Sequence, residues 1–228
     1  MKYEYSYELV DGHIILDDGP NQLLIDTGAQ SSVGNTSQLY FAGKSYVVLD
    51  EYMGVTPDSL SCNVGTTIHG LVGIDILSQF DILIDSNACM IVMSEEELPT
   101  EGDCLSVDAF MGIPIIDASV SGITVKMFFD TGAKHSYLNP ELIVAFPVLG
   151  TESDFYPGLG EFNTQIFSVP IRIGSKNTIL RMGTLPKLLQ ATLMMANTDG
   201  ILGTAVLDVF SILFAPRRKT ISLLERNC

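Results

Sequence analysis

Leu23-Leu24-Ile25-Asp26-Thr27-Gly28-Ala29 is answered 104 positions later by Met127-Phe128-Phe129-Asp130-Thr131-Gly132-Ala133. In each copy a run of three large apolar residues delivers an aspartate, and Thr-Gly-Ala follows. A serine stands three positions beyond each alanine, at Ser32 and Ser136. A second pair of segments repeats in the same order. Leu71-Val72-Gly73 is matched by Ile201-Leu202-Gly203, and equal offsets from the two glycines carry Ile76 and Val206, Leu77 and Leu207, Phe80 and Phe210, Ile82 and Ile212, Leu83 and Leu213. Two motifs in register with their downstream residues mark an internal duplication.

The duplication divides the chain into a first lobe, 1–97, and a second, 98–228. The acidic, aperiodic stretch Glu95-Glu96-Glu97-Leu98-Pro99-Thr100-Glu101-Gly102-Asp103 reads as the linker. Short alternating apolar segments bounded by turn residues predict an all-β, bilobal architecture with few short helices. Ser121-Gly122 is a two-residue hairpin turn between Ile115–Val120 and Thr124–Phe129, and Asp17-Asp18-Gly19-Pro20 turns His13–Leu16 back into Leu23–Ile25. Asp81–Met93 and Ser211–Leu224 read as two further hairpins. Helices are expected only after Gly73, after Gly203, and at Pro140–Phe146, where Asn139 caps and Pro140 suits the first turn. Segments near the N-terminus, around Cys104–Val107 and at Thr220–Leu224 are expected to pair in a sheet joining the lobes.

Each aspartate closes a buried strand, where poor solvation raises a carboxyl pKa. The glycine after it permits close approach of a second chain. If the two turns meet, the carboxyls face each other. Two like charges so close cannot both ionise, and the pair holds one proton. One carboxylate then acts as general base on a water, and the protonated partner polarises a carbonyl.

This pattern resembles the pepsin and retropepsin group of aspartic peptidases, over most of the chain. Proton sharing by paired aspartates is known behaviour of that group. The resemblance implies an aspartic endopeptidase acting on extended peptides, with Asp26 and Asp130 catalytic and no cofactor or metal required. It implies that Thr27 and Thr131 lock the turns across the lobes, with Gly28, Ala29, Gly132 and Ala133 supporting them. It also implies that Gly73 and Gly203 pack behind the active loops. Alanine after Asp-Thr-Gly is retropepsin-like, while two lobes in one chain is pepsin-like. A monomer therefore suffices. The rival reading is a catalytically silent peptide-binding module that kept the fold.

The copies are unequal. The interval from Asp130 to Gly203 exceeds that from Asp26 to Gly73 by about 26 residues. In the family this interval carries the flap, a hairpin closing over substrate. Tyr156-Pro157-Gly158-Leu159-Gly160, inside Asp154–Phe162, has aromatic flanks and a glycine-rich tip. One working flap from the second lobe is expected, with Tyr156 near the dyad and a shorter counterpart at Tyr52–Thr56. Pepsins carry theirs on the first lobe.

Lys and Arg total 12 against 27 Asp and Glu, a formal charge of −15. So acidic a surface repels phosphate backbones and anionic bilayers, which excludes nucleic acid and membrane as expected partners. With no signal-peptide core and no bilayer-length apolar run, the cytoplasm is the expected compartment. Cys62, Cys89, Cys104 and Cys228 form no Cys-x-x-Cys pair, which argues against a disulfide framework or zinc site; Cys228 is expected to be a free thiol. His13 and His135 are expected at the surface or satisfied in the core. Asp75 and Asp208 should serve helix ends, and Ser32 and Ser136 the local backbone. Leu188-Leu189 and Met194-Met195 are expected to pack the second lobe or line its cleft.

Overall fold

The computed structural model describes residues 1–156 and 159–225. The fold is all-β with few, short helices. Both copies build the same unit. In the first, Lys2–Val10 turns through Asp11-Gly12 into His13–Asp18, which pairs with Asn21–Ile25. In the second, Asp108–Phe110 turns through Met111-Gly112 into Ile113–Val120, which pairs with Ile123–Phe129 across Ser121-Gly122. Both residues of these two-residue turns have positive φ, 45° and 79° at Asp11-Gly12 and 52° and 80° at Ser121-Gly122. That is the conformation whose twist matches the flanking strands.

Each aspartate-bearing strand then takes a parallel neighbour. Leu23, Leu24 and Ile25 align with Gly70, Leu71 and Val72, and Met127, Phe128 and Phe129 align with Gly200, Ile201 and Leu202. Val33–Gly34 and Ser136–Leu138 pair antiparallel on the far sides. The apolar runs before the aspartates are buried on both faces, as parallel strands require.

The copies share one sheet. The hairpin Asp81–Asp85 and Met90–Ser94 meets the hairpin Phe210–Ala215 and Thr220–Glu225 edge to edge, with Ile84 opposite Ile212 and Ile82 opposite Phe214. Lys2–Val10 extends this sheet on one side and Asp103–Ser106 on the other, so the three segments expected to join the copies do lie together. One apolar core runs through both copies, from Ile14 and Phe80 to Phe210 and Ile221.

An ion cluster closes this junction. Asp81, fully buried, accepts from Arg217 at 2.7 Å, from Arg218 at 2.5 Å and from the Leu98 N–H at 2.9 Å. The two guanidinium groups also donate to the carbonyls of Ser94, Glu96 and Leu98. Removing one member of a buried cluster strands the others, though both arginines reach solvent and recover part of the cost. Asp81→Asn is therefore expected to lower unfolding free energy by about 2–4 kcal/mol, read by urea denaturation. A loss within experimental error would remove this cluster from the junction's energetics.

Two α-helices lie outside the expected set among the described residues. Pro57–Val64 starts at Thr56, whose hydroxyl accepts the Ser59 N–H at 3.1 Å while the Ser59 hydroxyl accepts the Thr56 N–H at 2.9 Å. This reciprocal cap, with Pro57 in the first turn and Gly65 at φ 82°, is a complete local signal. Lys187–Met195 buries Leu189 and Leu193. Its Leu188, Met194 and Met195 point outward, so the expectation that these three pack the second copy or line its cleft is corrected. Spacing explains the split: 189 and 193 share a face, and 188, 194 and 195 fall off it.

Candidate active site

The two Asp-Thr-Gly-Ala turns sit at matching places. Asp26 N–H donates to the Val72 carbonyl and Asp130 N–H to the Leu202 carbonyl, both at 3.0 Å. Ala29 and Ala133 carbonyls accept from Ile74 and Thr204 at 2.8 and 2.9 Å. The Ser32 and Ser136 hydroxyls accept the Gly73 and Gly203 N–H groups at 2.9 and 3.1 Å. A Cβ at Gly73 would press on the Ala29 carbonyl at 2.8 Å, and one at Gly203 would overlap the carbonyls of Ala133 and His135. Glycine is thus fixed there by sterics. Asp75 binds the Ser32 N–H and hydroxyl, tying down the first loop rather than serving only a helix end. Asp208 lies in the short 3₁₀ turn Thr204–Asp208.

The turns interlock. Thr27 N–H donates to the Thr131 hydroxyl and Thr131 N–H to the Thr27 hydroxyl, both at 3.0 Å. Each hydroxyl then donates to the opposite strand, Thr27 to the Phe129 carbonyl and Thr131 to the Ile25 carbonyl, both at 2.8 Å. All four bonds are buried. They hold each aspartate against the other copy's glycine: a Cβ on Gly28 would overlap the Asp130 carboxyl, and one on Gly132 the Asp26 carboxyl.

The carboxyls are not equivalent. Asp26 Oδ1 accepts from Gly28 and Ala29 N–H at 2.8 and 3.0 Å, while Asp130 Oδ1 accepts from Gly132 at 2.9 Å. Burial raises both pKa values. The Asp26 charge pushes Asp130 further up, and the backbone donors and the bond from its partner hold Asp26 down. The two carboxyls are thus an interacting pair whose pKa values are both raised.

The dyad floors a cavity of about 190 Å³. Leu24, Val33, Val55, Leu60 and Leu71 form the first-copy wall, and Tyr137, Asp154, Phe162, Leu185 and Ile201 the second-copy wall. Above it lies the hairpin Val148–Tyr156 and Gly160–Ile173, whose pairing runs to Tyr156 opposite Gly160. Tyr156 lines the cavity, and its phenol pKa is raised by burial and by the charges of Asp130 and Asp26. Leu159 and Gly160 are not among the lining residues; Pro157 and Gly158 lie outside the described residues. From the first copy, the tight turn Tyr52–Val55 also reaches the cavity, its ends joined by bonds of 3.0 and 2.9 Å. The cover is asymmetric, a long hairpin against a four-residue turn.

No family model and no curated protein sequence matches the chain. Among solved structures it is similar to the solution structure of Simian Foamy Virus (mac) protease. That match has 13% identity and a TM-score of 0.31, and covers 40% of this chain and 90% of the viral one.

Beyond the expected counterpart turn at Tyr52, His13 is a lining residue that sequence reading did not place at the cavity. Tyr52 donates to Gln30 at 2.7 Å. His13 is buried, with Nδ1 3.0 Å from the Asp11 carbonyl and its ring 5.5 Å from that of Phe155. Burial lowers its pKa against the pull of Asp154 and Asp11. His135 is also buried and lowered by burial, with Nε2 3.3 Å from Glu152 but out of hydrogen-bond alignment. A surface position holds for neither histidine. Cys62, Cys89 and Cys104 are free and exposed; Cys228 lies outside the described residues. Among the described residues no cluster of His, Cys, Asp and Glu could hold a metal, and no helix is long and apolar enough to cross a membrane.

Proposed function

We propose that this chain is an aspartic endopeptidase, working as a monomer on extended peptides and acting on neither nucleic acid nor membrane. The observation carrying this reading is the reciprocal lock of Thr27 and Thr131, which sets two partly buried carboxyls against each other's glycines in one cavity. Asp26 and Asp130 are the reacting pair. A water held between them loses a proton to Asp26 and attacks the scissile carbonyl carbon, while Asp130 gives its proton to the carbonyl oxygen. The gem-diol collapses, the amine leaves with the proton held by Asp26, and the diol proton returns to Asp130. Water is consumed, and one acid and one amine form. The hairpin of Val148–Tyr156 and Gly160–Ile173, with Tyr156 beside the dyad, is the flap.

Incubation with unfolded casein or a peptide library from pH 4 to 7, followed by mass spectrometry, tests the reading. Cleavage lost in Asp26→Asn and Asp130→Asn supports it. Peptide binding without cleavage by the parent protein would make it a binding module instead.

The pH profile has a local determinant. Ala29 and Ala133 line the cavity and offer no hydroxyl to the carboxylates. A donor there would stabilise the ionised form and lower its pKa. The acidic limb reports protonation of the working base, so Ala29→Ser with Ala133→Ser should move that limb to lower pH. A limb that stays in place contradicts this role for the alanines, and with it the expectation of activity in mildly acidic to near-neutral conditions.

A further inference from the structure

The two walls of the cavity differ in chemistry although they descend from the same segment. Val33 and Leu71 on the first-copy side correspond to Tyr137 and Ile201 on the second-copy side, through their matched strand pairing. The first wall is mainly aliphatic, though Ser31, Tyr52 and the His13 ring also line it. The second contains Asp154, only 8% exposed, near the tip of the flap hairpin, where it pairs with Phe162 two positions before Tyr156 meets Gly160.

Asp154 is paired only with neutral donors. One oxygen accepts from the Tyr137 hydroxyl and the other from the Phe155 N–H at 2.8 Å. Among the described residues no Lys, Arg or His nitrogen lies within ion-pair distance of it. The nearby cations are committed elsewhere, Lys134 to Asp11 and Arg181 to Glu152. Two buried imidazoles interact with it electrostatically, His13 from the first copy and His135 from the second, and burial lowers the pKa of both. A carboxylate withdrawn from water without a counter-ion is costly, and a cation supplied from outside offsets that cost.

The surroundings suit such a cation. Tyr137 and Phe162 present rings 6.4 Å apart on this side, while Phe155 turns the other way, onto His13 and the first-copy apolar cluster. Aromatic faces around a carboxylate accept the apolar stem and charged head of Lys or Arg together. The chain's charge of −15 draws cationic peptides toward the cleft.

We infer that the second-copy half of the cleft is a subsite for a Lys or Arg side chain, with Asp154 its specificity-determining residue, while the first-copy half takes an apolar side chain. This rests on the endopeptidase reading for its reaction, though not for its binding. It makes the substrate a peptide with a basic residue on one side of the scissile bond and an apolar residue on the other.

Matched peptides test it, carrying Lys, acetyl-lysine or norleucine in turn at each position flanking the cut. On one side only, Lys is expected to raise kcat/KM over norleucine by about tenfold or more. Acetyl-lysine, which keeps the stem and loses the charge, should behave as norleucine. Asp154→Asn, which keeps an acceptor for Tyr137, should bring the Lys-to-norleucine ratio to about one. Equal or better cleavage of norleucine at both positions by the parent protein overturns the subsite, as does a Lys preference that survives acetylation or Asp154→Asn. Fluorescence anisotropy on the same peptides separates the two claims. Tighter binding of the Lys peptide without hydrolysis retains the subsite and ends the peptidase reading. Equal binding of all three removes the subsite.

Discussion

Asp26→Asn and Asp130→Asn are each expected to lower kcat on the order of 10³-fold or more, with KM little changed. Asparagine keeps the shape and an acceptor oxygen, so the Asp26 bonds from Gly28 and Ala29 and the Asp130 bond from Gly132 can persist. What it removes is the ability to take or give a proton. With Asn at 26 the water has no base; with Asn at 130 the carbonyl oxygen receives no proton. Because the two act as one unit, the double variant should be scarcely worse than either single one. Circular dichroism must show the parent fold for the comparison to count. A single variant that keeps a tenth of the parent rate would remove that aspartate from the reaction.

Thr27→Val carries the largest expected cost to stability. Valine matches threonine in shape and loses the hydroxyl. The Thr131 N–H and the Phe129 carbonyl then lose their partners in a buried place. Two buried groups left unpaired cost about 2–5 kcal/mol together. Thr131→Val strands the Thr27 N–H and the Ile25 carbonyl in the same way, so a similar loss is expected. Thr27→Ser restores the hydroxyl and should recover most of the stability. Urea unfolding reads all three. If valine costs no more than serine, packing rather than hydrogen bonding holds the turns.

Much of the fold was readable because its signals are local or repeated. The duplicated Asp-Thr-Gly-Ala and apolar-apolar-Gly segments mark the strands that the structure pairs in parallel, and Ser121-Gly122 marks its hairpin within a few residues. Gly73 and Gly203 are legible for the same reason, since each marks a place where a carbonyl leaves no room for a Cβ. The Pro57–Val64 helix was also local. Thr56, Pro57, Ser59 and Gly65 spell its cap and stop, a short signal set among segments dominated by strand alternation.

The rest depends on contacts distant in sequence. Nothing near Asp154 announces Tyr137 as its partner, and nothing near His13 announces Phe155. Asp81 meets Arg217 and Arg218 only because two hairpins from different copies pair edge to edge. The hairpin of Val148–Tyr156 and Gly160–Ile173 illustrates both cases. Its strands are visible as alternation around a glycine-rich tip, whereas the nearness of Tyr156 to the dyad follows from the second copy folding over the first.

The shared proton is the claim on which the chemistry turns, and carbon-13 NMR of protein labelled at the aspartate side-chain carboxyls observes it directly. With Asp26→Asn and Asp130→Asn as assignment controls, the two signals should titrate as a coupled pair. One proton should be retained well above the ordinary carboxylate range, chiefly on Asp130. Two independent titrations near pH 4, each unaffected by replacing the other residue, would show that the carboxyls do not hold a proton between them.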